Sequence, residues 1–186
     1  MGKLIYSALA SLDGYIEDEE GRFEWAMPSD EVHAFINDLT RSIGTHIYGR
    51  RMYEVMLVWE TEPSLAEESP TMQDYAQLWQ KADKVVFSRT LQAVTTSRTR
   101  LVREFDPEEI RRMKAQEERD LVIGGPELAT EAFRAGLIDE CQLFLAPVSV
   151  GGGKRCLPSG LRLQLDLVEQ RQFSNGMVYL RYLIAR

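Results

Sequence analysis

Cysteine is scarce in this chain. Its 186 residues include two, Cys141 and Cys156, and no Cys-x-x-Cys pair, so neither a disulfide framework nor a thiolate zinc site is supported and two free thiols are expected. Long apolar runs are missing too. Nothing approaches the roughly 18 residues of a membrane span, and residues 1–4 lead straight into a strand pattern instead of a signal peptide. No membrane contact and a cytoplasmic location are expected. Tyr6 stands where N-myristoylation needs Ser or Thr. Positive charge is in deficit as well, with 22 Lys and Arg against 29 Asp and Glu. A nucleic-acid surface needs a basic stripe to release phosphate counterions, so nucleic acid is not an expected partner. The common phosphate signatures are lacking: there is no Gly-x-Gly-x-x-Gly, and after Gly153-Lys154 comes Arg155, where a phosphate loop requires Ser or Thr. No repeat or low-complexity tract interrupts the chain. At 44% hydrophobic residues it can bury one good core, and a single domain over residues 1–186 is expected.

What is present centres on residues 120–136. Leu121, Val122 and Ile123 form a run without alternation, as in a strand buried on both faces, and Leu128, Ala132 and Phe133 then recur at helical spacing. Gly124 and Gly125 make the turn between them, Pro126 suits a first helical turn and Gly136 a C-terminal cap. Such a turn presents unpaired N–H groups, and glycine lets a phosphate approach without meeting a Cβ. By itself Gly-Gly-Pro also fits an ordinary packing turn.

The arrangement recurs along the chain. Residues 3–10 read as a buried strand, followed by an Asp13-Gly14 turn and a loop holding Phe23 and Trp25, which either close a core edge or line a cleft. From Pro28 the positions of Val32, Phe35, Ile36, Leu39 and Ile43 predict one helical face, capped by Ser29 or Asp30. Glu31 lies beside that face. Held at a cleft rim it could have a raised pKa and pass a proton; the plainer reading is an acidic first turn that complements the helix dipole. Residues 45–49 predict a second strand, which ends at Gly49 and opens a helix with Arg50 and Arg51. Two cations at a helix start oppose the dipole unless an anion compensates. Residues 61–70 read as a surface loop, 71–82 as a helix, and 84–88 as a strand followed by Arg89. Residues 100–103 suggest a short strand, and Asp106-Pro107 a helix start. Residues 138–150 read as one long strand, Gly151-Gly152-Gly153-Lys154-Arg155 as a loop able to touch an anion, and residues 161–173 and 177–185 as a hairpin around Asn175-Gly176. Strands alternating with helices and then a hairpin make an α/β fold: a mostly parallel central sheet flanked by helices, with an antiparallel C-terminal hairpin.

Four motifs in order, Ser11-Leu12-Asp13-Gly14-Tyr15-Ile16, Ile47-Tyr48-Gly49-Arg50, Val86-Phe87-Ser88-Arg89 and Val122-Ile123-Gly124-Gly125, resemble the dihydrofolate reductase superfamily. The likeness is strongest to the C-terminal reductase domain of the riboflavin-pathway deaminase/reductase, where Ser-Leu-Asp-Gly and a late Pro-Val-x-x-Gly-Gly-Gly, here residues 147–153, also occur. The resemblance implies NADPH at the carboxyl edge of a dihydrofolate reductase-like sheet. Gly124, Gly125, Glu127 and Leu128, with Ile123 before them, would hold the pyrophosphate turn, and a cis Gly124–Gly125 peptide is implied. Gly49, Arg50 and Arg51 would meet the phosphates. Ser88 and Arg89 would reach the adenosine 2′-phosphate, and Leu9 and Ile16 would border the nicotinamide. The family's acid matches Glu31 by its distance from the Phe and Asp30 by its distance from the proline. The Pro-Trp pair of the folate enzymes is missing, and no deaminase motif is present. A stand-alone NADPH-dependent reductase of a pyrimidine- or pterin-like compound, working as a homodimer, is the expectation. A dimeric binding module of the same fold without turnover is the alternative.

Overall fold

The computed structural model describes residues 1–185. In chain order the elements are β1 (Leu4–Ser11), β2 (Tyr15–Glu17), a single 3-10 turn (Glu24–Ala26), α1 (Asp30–Thr40), β3 (Ile43–Gly49), α2 (Arg50–Met56), α3 (Val58–Thr61), α4 (Pro63–Glu67), α5 (Pro70–Lys81), β4 (Asp83–Phe87), β5 (Thr99–Val102), α6 (Pro107–Gln116), β6 (Asp120–Gly124), α7 (Pro126–Arg134), β7 (Glu140–Ala146), β8 (Lys154–Arg155), β9 (Leu165–Gln172) and β10 (Val178–Ile184). Eight strands form one sheet in the order β5-β4-β3-β6-β1-β7-β10-β9. From β5 through β7 every neighbouring pair is parallel, and the hairpin β9–β10 runs antiparallel against β7. β2 and β8 pair separately.

Local chemistry sets the helix starts. The Ser29 hydroxyl accepts from the Val32 amide, the Ser69 hydroxyl from Met72 and the Asp106 carboxylate from Glu108. Each cap is worth about 1 kcal/mol. The two faces of the sheet are covered by different helices. On one, Ile110 of α6 and Ala129, Ala132 and Phe133 of α7 pack with Leu4, Tyr6, Ile47, Leu121 and Ile123. On the other, Val32 and Phe35 of α1 pack with Phe144 and Tyr179, and Tyr75 and Trp79 of α5 pack with Tyr48 and Val86. The Trp79 indole N–H donates to the Tyr48 hydroxyl at 3.0 Å.

Several expectations are corrected. Ile43 belongs to β3, opposite Asp120, and not to the helical face; α1 stops at Thr40, so the spacing from Val32 to Ile43 crosses an element boundary. The stretch read as a loop, residues 61–70, carries α4, because Pro63 stands at the first position of α4 as Pro70 does at that of α5, where a missing N–H costs nothing. The long strand is confined to β7, and its ladder stops before Pro147. Lys154 and Arg155 form β8 against β2 instead of a free loop. The Gly124–Gly125 peptide is trans, since no cis bond occurs among the described residues; a trans turn suffices because Gly125 takes φ +88°. No helix among the described residues is long and apolar enough to cross a membrane.

Candidate active site

The sheet has a step at its carboxyl edge. β6 pairs with β1 only as far as Tyr6, opposite Ile123, whereas β1 continues beside β7 to Ser11. In a parallel sheet successive residues turn their N–H and C=O to alternate sides. The Lys3 carbonyl accepts from Leu121 of β6 and the Leu4 carbonyl from Asp139 next to β7, so odd-numbered residues of β1 face β6. By that alternation both backbone groups of Leu9 face β6's side, past the end of its ladder, with no strand opposite. Ser7, Ala8 and Leu9 are accordingly half-buried in mid-strand. The 3-10 turn and α1 border the step on the β7 side, through Trp25 and Val32, which belong to the same apolar cluster as Leu9. α2 borders it on the β3 side: a Cβ on Gly124 would lie 3.3 Å from Met52 and one on Gly125 3.5 Å from it.

The glycine and arginine turns converge on this edge. Tyr48 is level with Gly124 and Gly49 with Phe87, and a Cβ on Gly49 would lie 3.9 Å from the Cβ of Leu128. Arg50 bonds Glu54 at 2.7 Å and the Thr90 hydroxyl at 3.1 Å, which ties α2 to the turn after β4. In that turn the Ser88 hydroxyl accepts from the Thr90 and Leu91 amides and keeps its own proton free to donate. Arg89 is mostly exposed, 3.7 Å from Glu104. Arg51 lies 2.8 Å from Glu17, just after Ile16, and Lys154 lies 3.4 Å from Glu17 and 2.9 Å from Glu127. An open cleft of about 670 Å³, lined by Glu17, Gly21, Arg51, Gly153 and Lys154 among others, flanks the step. Ile16 is half-buried against the core. Ile123 is fully buried, so it offers the edge only its backbone.

The two acids are placed differently. Glu31 accepts from the Ser174 amide at 3.0 Å and from its hydroxyl at 2.5 Å, with Arg171 at 4.0 Å. The Ser174 hydroxyl, then its amide, then Arg171 hold the Glu31 carboxyl below its ordinary range. Of the two readings of Glu31, a raised carboxyl at a cleft rim and an acidic first turn, the Ser174 contacts rule out the first. Asp30 is exposed at the first position of α1. His33, one helical turn on, is lowered by burial, against the opposing pull of Asp30.

Three features of this edge have weak sequence signals. Met52 walls both glycines, with nothing but its place two residues into α2 to mark it. Lys154 bridges β2 to α7, and only its glycine run marks it. Asp13 accepts from the Ser149 hydroxyl at 2.8 Å and from the Val150 and Gly151 amides at 3.1 and 2.7 Å. That joins the Ser-Leu-Asp-Gly turn to the late triple glycine, two motifs 136 or more positions apart.

The family model described as RibD C-terminal domain matches residues 2–179. An uncharacterized protein, YyaP, of Bacillus subtilis is 28% identical over 182 residues, 97% of this chain and 94% of its own length. A dihydrofolate reductase of Enterococcus faecalis, solved in complex with NADP(H), superposes with a TM-score of 0.65 at 18% identity, covering 100% of this chain and 98% of that one. A deaminase/5-amino-6-(5-phosphoribosylamino)uracil reductase of Thermotoga maritima superposes with a TM-score of 0.66 at 13% identity. It covers 99% of this chain and 57% of that longer one. At such identities the likeness to both structures is one of fold, and the fold is dihydrofolate reductase-like.

Proposed function

The chain belongs to the RibD C-terminal domain family, and from that premise we propose that it is an NADPH-dependent reductase delivering hydride to a C=N or C=O carbon of a small pyrimidine- or pterin-like compound of the riboflavin- or folate-pathway kind. The observation that carries the reading is the open step beside Leu9. A backbone N–H and C=O turned the same way form a donor–acceptor pair, complementary to a primary carboxamide such as that of nicotinamide. NADPH, when bound, supplies the hydride.

The chain's own residues would supply the placement. Gly49, Gly124 and Gly125 leave room for a diphosphate against the start of α7, where the amides of Glu127 and Leu128 have no helical partner. Arg50 and Arg51 would add charge, Ser88 would donate its hydroxyl proton to the 2′-phosphate, and Arg89 would pair with it. Ile16 and Leu9 would border the ring, and the loop of residues 14–27 would exclude water. Asp30 is the better placed of the two acids to pass a proton, because Glu31 is held by Ser174. A homodimer formed through the terminal hairpin belongs to the same reading: Leu167, Val168 and Leu183 are exposed there, and sedimentation at micromolar concentration tests it.

The commitment of Glu31 to the hairpin favours one other reading, a binding module without turnover. NADPH fluorescence titration at low salt tests the first claim, and the reductase reading fails if no binding is found. Arg89→Ala is expected to weaken NADPH roughly two- to fivefold and leave NADH unchanged, the size of a solvent-screened ion pair. Binding without NADPH oxidation across pterins and riboflavin precursors would select the binding module.

A further inference from the structure

Cations are divided unevenly across the carboxyl edge. On the side of the strand-end glycines and the turn after β4 stand Arg50, Arg51, Arg89, Arg103 and Lys154; Arg50, Arg51, Arg89 and Lys154 face Glu54, Glu17, Glu104 and Glu127, so cations and carboxylates are interspersed there. The two walls of the step next to Leu9 are drawn from residues 23–40, the 3-10 turn and α1, and residues 52–80, most of α2, all of α3 and α4, and α5 up to its last residue, Lys81, which lies at the end leading into β4. Neither segment contains a single Lys or Arg. The first carries four carboxylates, Glu24, Asp30, Glu31 and Asp38, and the second six, among them Glu54 and Glu60. Ile36 joins two apolar clusters: it packs against the one that includes Val32 and that Leu9 and Trp25 also border, and against the one that includes Tyr48 and Tyr75 and that Met52, Met56 and Trp59 also border. His33 lies beside Trp59 and Tyr75, with ring centroids at 5.7 and 5.2 Å. Burial, against the opposing pull of Asp30, lowers its pKa and so disfavours its cationic form.

Three of the bases bordering these walls are already engaged. Arg171 stacks over Phe35 and Phe173 at 4.8 and 4.9 Å and faces Glu31. Arg22 pairs with Asp18 at 3.1 Å and Glu20 at 2.6 Å. Arg41, just past the end of α1, bonds Asp74 at 2.7 Å.

From this division we infer that the compound reduced in the groove carries no phosphate: it is a neutral or cationic, flat heterocycle, held by Trp25, Ile36, Met52 and Met56 and selected by a wall of like charge against phosphorylated analogues. The inference rests on the reductase reading and refines its substrate. A phosphate brought between these walls meets no cation to replace its lost hydration, and the carboxylates around it repel it. The anionic cofactor escapes the same penalty because its phosphates are directed to the half that holds the cations. The 5-phosphoribosyl group named for the Thermotoga enzyme's substrate would have no counter-ion here.

The test uses the full chain, NADPH and a protein-free bacterial metabolite extract. One half of the extract is treated with alkaline phosphatase, which is removed by filtration before NADPH is added; the other half is mock-treated. NADPH oxidation is read at 340 nm, and consumed compounds are identified by mass. Equal or faster oxidation with the phosphatase-treated half, and a consumed compound without phosphate, is the expected result. Loss of about nine-tenths of the rate on phosphatase treatment, or a phosphorylated consumed compound, overturns the inference while leaving the reductase reading intact. Oxidation with neither half, in protein that binds NADPH, overturns both.

Discussion

Gly125 joins β6 to α7 with φ +88° and ψ 124°, a backbone state that L residues avoid because Cβ meets the flanking carbonyl. Gly125→Ala should therefore cost about 1–3 kcal/mol in backbone strain. The added Cβ lies 3.5 Å from the Cβ of Met52, ordinary van der Waals contact, so packing adds little to that figure. For a chain of this length each kcal/mol lowers Tm by about 2–4 °C, and a loss of roughly 3–10 °C is expected in a thermal melt. The same Cβ stands at the α7 turn, so NADPH binding should weaken by roughly tenfold or more, the loss expected when a close backbone approach is blocked. Two controls separate the causes. Gly136, at φ +64° with nothing within 4 Å of a Cβ, should lose stability on substitution and keep its affinity. Gly124→Ala has no positive φ and meets only the flexible end of Met52 and the Tyr48 ring at 3.3–3.4 Å, so it should cost less stability than Gly125→Ala. A Gly125→Ala protein with unaltered Tm and NADPH affinity would refute both the strain argument and the placement of the diphosphate.

Three other perturbations follow from the same coordinates. The Asp13 carboxyl is held far below its usual range by the Ser11 hydroxyl first and, against an opposing desolvation that ranks second, by the Gly151 amide, the Ser149 hydroxyl and the Val150 amide. A depressed acid contributes stability above its unfolded pKa of about 3.9 and loses it as pH falls further, so this latch should hold at neutral pH. Asp13→Asn should open it there, read as faster hydrogen exchange at Val150 and Gly151, and unchanged exchange would dismiss the latch. His46 is buried beside Tyr48, and burial, then Lys84 and Arg119, lower its pKa to about 3. Between about pH 6.5 and 3 the unfolded chain binds a proton that the folded one refuses, so stability falls with pH by up to about 1.4 kcal/mol per unit. Its Nε2 has no hydrogen-bond partner among the described residues; His46→Leu should thus remove roughly 2.5 kcal/mol of the loss between pH 6.5 and 4.5 in urea melts, and identical acid limbs would count against it. Glu31→Gln should lower Tm slightly and leave the pH profile of NADPH oxidation in place, whereas Asp30→Asn should move that profile; the reverse pattern would return the proton to Glu31.

Much of the frame was legible because it rests on short-range chemistry. Ser29 before α1 and Asp106 before α6 announce a helix start through hydrogen bonds made within three residues, and Pro126 after two glycines announces α7 through its fixed φ at the first helical position. The strand ends at Gly49 and Gly124 were readable from their glycines, whereas the strand read to Ser88 stops at Phe87. What was hidden depends on pairs far apart in the chain. Glu17 and Lys154 look like isolated surface charges until β8 lays one beside the other. Ile43 continues a helical rhythm by coincidence, and only its pairing with Asp120 assigns it to β3. The pKa of Glu31 could not be read from its neighbours in α1, because the group that sets it, Ser174, lies 143 positions away. The cis peptide was carried in by resemblance alone, and a trans bond with positive φ at Gly125 makes the same turn.

The step in the sheet connects fold to function more directly than any single side chain does. Had β6 continued beside β1, the Leu9 amide would have a strand partner, and the site would be an ordinary stretch of ladder. Ending β6 at Gly124 forgoes one or two backbone hydrogen bonds, each worth about 0.5–1.5 kcal/mol net, and turns those groups toward a ligand. The glycine that ends the strand also opens the turn into α7, so the backbone groups at Leu9 and the unpaired amides of α7 arise from one event in the chain. β3 ends in the same manner at Gly49, one residue past the level of Gly124, which places Arg50 and Arg51 at that height. Shifting β6 by one residue would turn Val122 toward α7 and move the Gly125 turn off the level of Gly49. The register of Ile47 with Ile123 and of Tyr6 with Ile123 therefore fixes the distance between the two halves of the groove, and burying Ile123 between α6 and α7 is how the core sets the geometry of the site.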